Sequence, residues 1–181
     1  MSIKIENSAT LKLPRRTMEN ISSILALIPR EHLRGIDKLR FVDAIRDPRV
    51  STQQQERLPG LYHPRQGTQP AWFEIAMSTL LPPALPLHKR LLPRLSFKSN
   101  LAALIFSLAG QHYYLTLKHS IRKKQLEPAI KAYTEKNLRL WSEQQQNFRR
   151  RLFKPFQPTL EHWARALQRK AIENHKRDPI A

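Results

Sequence analysis

KSNLAALIFSLAGQHYYLTLKH, Lys98 to His119, is the stretch on which the fold turns. It reads as a core helix, apolar on most sides through its first half. Ala102, Ala103, Ala109 and Gly110 are small, so neighbouring backbone can approach closely. The longest apolar run, Leu101 to Gly110, is interrupted at Ser107 and followed by Gln111 and His112. A bilayer span needs about 20 apolar residues, so this is a buried helix and no transmembrane segment is expected. A helix apolar on several sides needs a second layer to cover it.

The segments upstream can supply that layer. Trp72–Met77 and Gly60–His63 are short strand candidates separated by Pro64–Pro70, whose Gly67 marks a turn, so they read as a hairpin. Leu39–Ile45 reads as a further strand with Leu39, Phe41 and Val42 turned inward. Arg46–Pro59 is polar and reads as a loop. Met18, Ile21, Leu25 and Ile28 recur at helical spacing, predicting an amphipathic helix over Thr17–Ile28 that Pro29 ends. A helical turn at Glu31–Arg34 should stop at Gly35, and Ile3, Ile5, Leu11 and Leu13 suggest short extended pieces. Pro82, Pro83, Pro86 and Pro93 bar a regular helix from Leu81 to Pro93.

Downstream, Pro128 is expected to open a helix running to about Phe148, with Ile130, Tyr133, Trp141 and Phe148 on one face. Pro155 and Pro158 break the pattern before a last helix, Thr159–His175, with Leu160, Trp163, Leu167 and Ala171 on one stripe. The expectation is an α+β fold in which a small sheet packs against the central helix and C-terminal helices follow. Residues 1–148 form the α+β domain and 149–181 a basic linker and helix.

The 181 residues suffice for one domain with a core plus an appendage, and 40% hydrophobic content suits a folded chain. With no cysteine, disulfides, cysteine zinc sites and cysteine nucleophiles are excluded, which fits a reducing compartment. Met1–Pro14 lacks the apolar core of a signal peptide, so the expected location is cytoplasmic. The net charge of +18 points to a polyanionic partner, nucleic acid or an acidic protein, with an anionic membrane surface as a weaker option. No cofactor is expected.

Four stretches carry a family resemblance: Ile28–Ile36 (IPREHLRGI), Gly60–Pro64 (GLYHP), Phe73–Ile75 (FEI) and Leu104–His112 (LIFSLAGQH). Over residues 15–140 their order resembles small bacterial zincin-like metallopeptidase domains. In those, an apolar helix carries His-Glu-x-x-His and the next helix adds an acidic third ligand. The resemblance implies a zincin-like fold that has lost its metal motif. Ser107 and Gln111 stand where the two histidines belong, and Leu108 stands for the glutamate that activates water. His112 matches the residue after the second ligand, and the third ligand falls at Glu127 or near Lys131. Catalysis is therefore not expected. A new metal site from His63, His112 and Glu127, or a triad of Ser107, His112 and Glu127, is the enzyme alternative; both depend on geometry. No Gly-rich phosphate loop or nucleophile elbow is present.

Basic residues fall in three groups: His88, Lys89, Arg90, Arg94 and Lys98; Lys118, His119, Arg122, Lys123 and Lys124; and Arg149, Arg150, Arg151 and Lys154, extended by Arg165, Arg169, Lys170, Lys176 and Arg177. Cations at the end of the core helix also complement its dipole. Phe148, Phe153, Phe156 and Trp163 interleave the third group, a pattern suited to single-stranded nucleic acid. Trp163, on the apolar stripe, serves docking of the last helix in the plainer reading. The expected polyanion-binding residues are Arg149, Arg150, Arg151, Lys154, Arg165, Arg169 and Lys170, with Arg122, Lys123 and Lys124. The alternative is a basic, largely helical nucleic-acid-binding protein unrelated to peptidases.

Overall fold

A computed structural model describes residues 3–48, 51–55, 57–82, 91–117 and 123–153. The elements run β1 (Lys4–Asn7), α1 (Thr17–Leu27), a 3-10 turn (Arg30–Leu33), β2 (Ile36–Val42), α2 (Thr52–Gln55), β3 (Gly60–His63), β4 (Ala71–Ala76), α3 (Met77–Leu80), α4 (Leu91–His112), a π turn (Tyr113–Leu117) and α5 (Lys123–Phe153). The fold is α+β, with four strands in the order β1-β2-β4-β3. Packing divides the chain into two compact units, Met1–Trp141 and Ser142–Ala181.

β1 and β4 flank β2 in parallel, and β3 closes the edge antiparallel to β4. The hairpin is as expected from the sequence: Gln66 and Gln69 pair across the turn, and Gly67 takes φ +55, a region glycine enters without steric cost. Because strand side chains alternate, register assigns the two faces. Leu39, Phe41, Phe73, Ile75 and Tyr62 point to one face and join Ile21, Ile24 and Ile28, and Phe97, Leu101, Ile105 and Leu108 of α4, in a single core. Full burial of such a side chain stabilises by about 1.5–3 kcal/mol. The other face carries Lys4, Glu6, Lys38, Arg40, Trp72, Glu74 and His63.

Several expected boundaries shift. β2 begins at Ile36, directly after Gly35 (φ +91), and a bulge between Ile36 and Lys38 lets Ile36 reach Ala71. It ends at Val42 because Asp43 leaves the ladder: its Oδ1 accepts from the Thr10 backbone N–H at 2.9 Å, and its carbonyl accepts from Ser78 N–H at 3.0 Å. The buried stripe of α1 is Thr17, Ile21 and Ile24, continuing to Ile28; Met18 is 49% exposed, so the stripe is rotated from the one expected. α4 starts at Leu91 and includes Pro93, whose missing N–H falls in a first turn where it would have no helical partner. The core helix stops being α-helical at His112 and continues as the π turn. α5 starts five residues before Pro128, encloses it, and runs on through Arg149, Arg150 and Arg151 to Phe153. As the sixth helical residue, Pro128 forgoes the bond to the Lys124 carbonyl and its ring crowds that carbonyl, yet the helix continues through it.

Close approach is set by two glycines. A Cβ on Gly110 would lie 3.0 Å from Tyr133 Cδ1, so α5 rests its tyrosine on α4 at that point. A Cβ on Gly60 would lie 2.9 Å from Leu104 Cδ1 and 3.1 Å from the Glu74 carbonyl, so α4 presses on β3 there. The expected last helix, Thr159–His175, lies outside the described residues.

Candidate functional site: the groove between α4 and α5

Ser107 and Gln111 are one helical turn apart on α4, and across from them α5 presents Leu126, Glu127, Ile130, Lys131, Thr134 and Glu135. Together these line a cavity of about 570 Å³. Positions 107, 111 and 127, tied together in the sequence only through the family resemblance, thus share one groove. Its chemistry is a hydroxyl, an amide, carboxylates and an ammonium over an aliphatic floor. The Thr134 hydroxyl is turned back to the Ile130 carbonyl at 2.8 Å. Among the described residues no imidazole lines the groove, and no group of three His, Asp or Glu is placed to hold a metal ion. Leu108 does not line it; it is 1% exposed and belongs to the core.

His112 is elsewhere engaged. It is 1% exposed, and its Nε2–H donates to the Arg34 carbonyl at 3.0 Å. In the neutral ring Nδ1 is then an acceptor, and it takes the Tyr62 hydroxyl at 2.9 Å. Tyr62 in turn accepts from the Thr116 hydroxyl at 2.8 Å. The chain Thr116, Tyr62, His112, Arg34 ties the π turn, β3, α4 and the turn before β2 together. Burial pushes the His112 pKa below its ordinary value, opposed by the bond to Arg34. Both ring nitrogens are committed, so neither the Ser107 triad nor a metal site with His63 and Glu127 is assembled.

His63 instead bonds Glu74 at 3.0 Å and stacks on Trp72 with ring centroids 3.9 Å apart and planes 4° from parallel. A second aromatic cluster, not anticipated from the sequence, joins His32, Tyr113, Tyr114 and Tyr133. His32 Nδ1 meets the Tyr133 hydroxyl at 3.0 Å, and the His32 and Tyr113 centroids are 4.0 Å apart. Burial raises the Tyr133 pKa to about 12, with Tyr114 and Tyr113 adding to it, and burial lowers that of His32. The doublet Tyr113-Tyr114 is plain in the sequence, but its partners are about 80 residues upstream and 20 downstream in the chain.

Of the expected polyanion-binding residues, Lys123 and Lys124 begin α5, and Lys124 is exposed. Arg149, Arg150 and Arg151 lie on the same helix. Arg122, Lys154, Arg165, Arg169 and Lys170 fall outside the described residues, as do His88, Lys89, Arg90, Lys118 and His119. Among the described residues no helix is long and apolar enough to cross a membrane. No protein-family model, curated protein or solved structure matches the chain.

Proposed function

We propose that this chain is a non-catalytic, zincin-like binding protein that has lost the zinc-peptidase motif and takes a polyanion as partner, nucleic acid ahead of an acidic protein. The observation that carries the reading is charge: 32 Lys and Arg stand against 14 Asp and Glu, a net +18. Cations in such excess bind phosphates by releasing condensed counterions. Two features support the non-catalytic part. Among the described residues, those lining the groove of positions 107, 111 and 127 include no imidazole. Leu108, at the position of the water-activating glutamate, is core.

The test is a binding titration against salt. The chain should bind a polynucleotide at low salt, with log affinity falling linearly as log salt rises. Arg149, Arg150 and Arg151 changed together to alanine should weaken binding and flatten the slope, by about 0.7 to 0.9 for each phosphate no longer neutralised. Unchanged affinity and slope in that variant would remove these arginines from the reading. A wild-type chain that binds no polyanion at low salt would end it.

A further inference from the structure

The helices α1 and α4 pack on one face of the sheet, and the opposite face has a composition that its register makes explicit. Lys4 pairs with Lys38, Lys38 with Trp72, and Trp72 with His63. These four side chains therefore form a row straight across all four strands, spaced about 4.8 Å apart. The next row on that face is Glu6, Arg40, Glu74 and Leu61. The anions of the second row are already answered. Glu6 faces two ammonium groups, Lys4 at 3.0 Å and Lys38 at 3.4 Å. Glu74 holds His63 at 3.0 Å. Arg40 donates its Nε–H to the neutral Ser8 hydroxyl at 3.1 Å. Lys4, Lys38 and Arg40 on this face stand against Glu6 and Glu74, Asp37 at the bulge also acts on Lys4, and the Lys4 side chain is 72% exposed.

Aromatic chemistry lies in the same row. Trp72, on central strand β4, is half-buried, with His63 stacked on it and Lys38 Nζ 5.8 Å from its ring centroid. The His63–Trp72 spacing of 3.9 Å and near-parallel planes already have the geometry of stacked bases. His63 and Trp72 cover one ring face each by stacking on one another, so an unpaired base would extend this stack from the ring surface the pair leaves open, its phosphates meeting the flanking cations. A duplex keeps its base faces covered and offers only phosphates.

We propose that this outer sheet face, centred on Trp72 and His63 and flanked by Lys4, Lys38 and Arg40, binds single-stranded nucleic acid. The inference rests on the polyanion reading above and adds to it the substrate class and the surface.

The experiment compares three probes by fluorescence anisotropy at fixed low salt: a labelled 12-nucleotide single strand, a 12-base-pair duplex and heparin. The single strand should bind most tightly. Trp72→Thr, which keeps a strand-forming residue, should weaken it about tenfold or more, the loss of roughly one stacked base, and leave heparin binding unchanged. Lys38→Gln should reduce the single-strand salt slope by about 0.7. Photocrosslinking of a thiouridine-substituted strand to the wild-type chain covers the case in which Trp72→Thr does not fold; adducts should map to Gly60–His63 and Ala71–Ala76. Single strand, duplex and heparin bound equally well, or adducts confined to other segments, would overturn the sheet-face proposal and leave the polyanion reading standing. Failure of all three probes to bind would overturn both.

Discussion

Tyr62→Phe is the most direct probe of how the fold is held, because one hydroxyl serves two partners in a buried place. Tyr62 is 6% exposed and its hydroxyl bonds His112 Nδ1 at 2.9 Å and Thr116 Oγ1 at 2.8 Å. The ring packs edge-on against Phe73 with centroids 6.1 Å apart, so phenylalanine keeps the packing. Two hydrogen bonds of about 0.5–1.5 kcal/mol net are lost, and the buried Nδ1 acceptor is left without a donor. The expected cost is about 2 kcal/mol, read as a lower urea midpoint with an unchanged m-value. Thr116→Val, which breaks only the outer bond, should cost about 1 kcal/mol, and the double variant should cost less than the sum of the two. The network also has a pH signature. In the folded chain His112 protonates below its ordinary pKa, so between those two values the unfolded state binds the extra proton. Its contribution is therefore complete above about pH 6.5 and is lost as pH falls. His112→Gln, able to keep a donor toward Arg34, should flatten that decline and leave the share of His32, whose pKa is also lowered by burial. A Tyr62→Phe chain that unfolds within about 0.5 kcal/mol of the wild type at pH 7 would show that the network does not hold the fold.

Gly110→Ala sets a Cβ 3.0 Å from the Tyr133 ring against about 1 kcal/mol of helix propensity gained, and a net loss of about 1 kcal/mol is expected; a gain of about 1 kcal/mol in thermal stability would show that the ring gives way freely. Leu108→Ala should cost about 2–5 kcal/mol, because the side chain is 1% exposed within the core, and a cost below about 1 kcal/mol would place it at the surface instead. Purified protein should carry no stoichiometric zinc; zinc found by elemental analysis and lost on changing His112 or Glu127 would overturn the non-catalytic reading.

Periodicity made α1, the hairpin and the core of α4 legible, because those patterns express local geometry: 3.6 residues per turn and strict alternation on strands. The burial of Leu101, Ile105, Phe106 and Leu108 follows from the same apolar run. Element ends were less legible, since they depend on partners elsewhere. Asp43 stops β2 by bonding Thr10, and Pro128 sits inside α5 rather than opening it. The family resemblance put His112 beside the second ligand position, and the enzyme alternative made it a candidate ligand with His63 and Glu127. Tertiary structure gave it a different role, because Tyr62 is 50 residues away and Arg34 is 78.

Composition alone determined the absence of cysteine chemistry and the large positive charge, as both are sums over side chains that need no coordinates. The pairing of β2 with β4, skipping β3, was decided by tertiary structure alone. That order aligns Lys4, Lys38, Trp72 and His63 in one row, although they are spread over more than a third of the chain. Strand order and register are properties of long-range pairing, so no local pattern in any one strand contains that row.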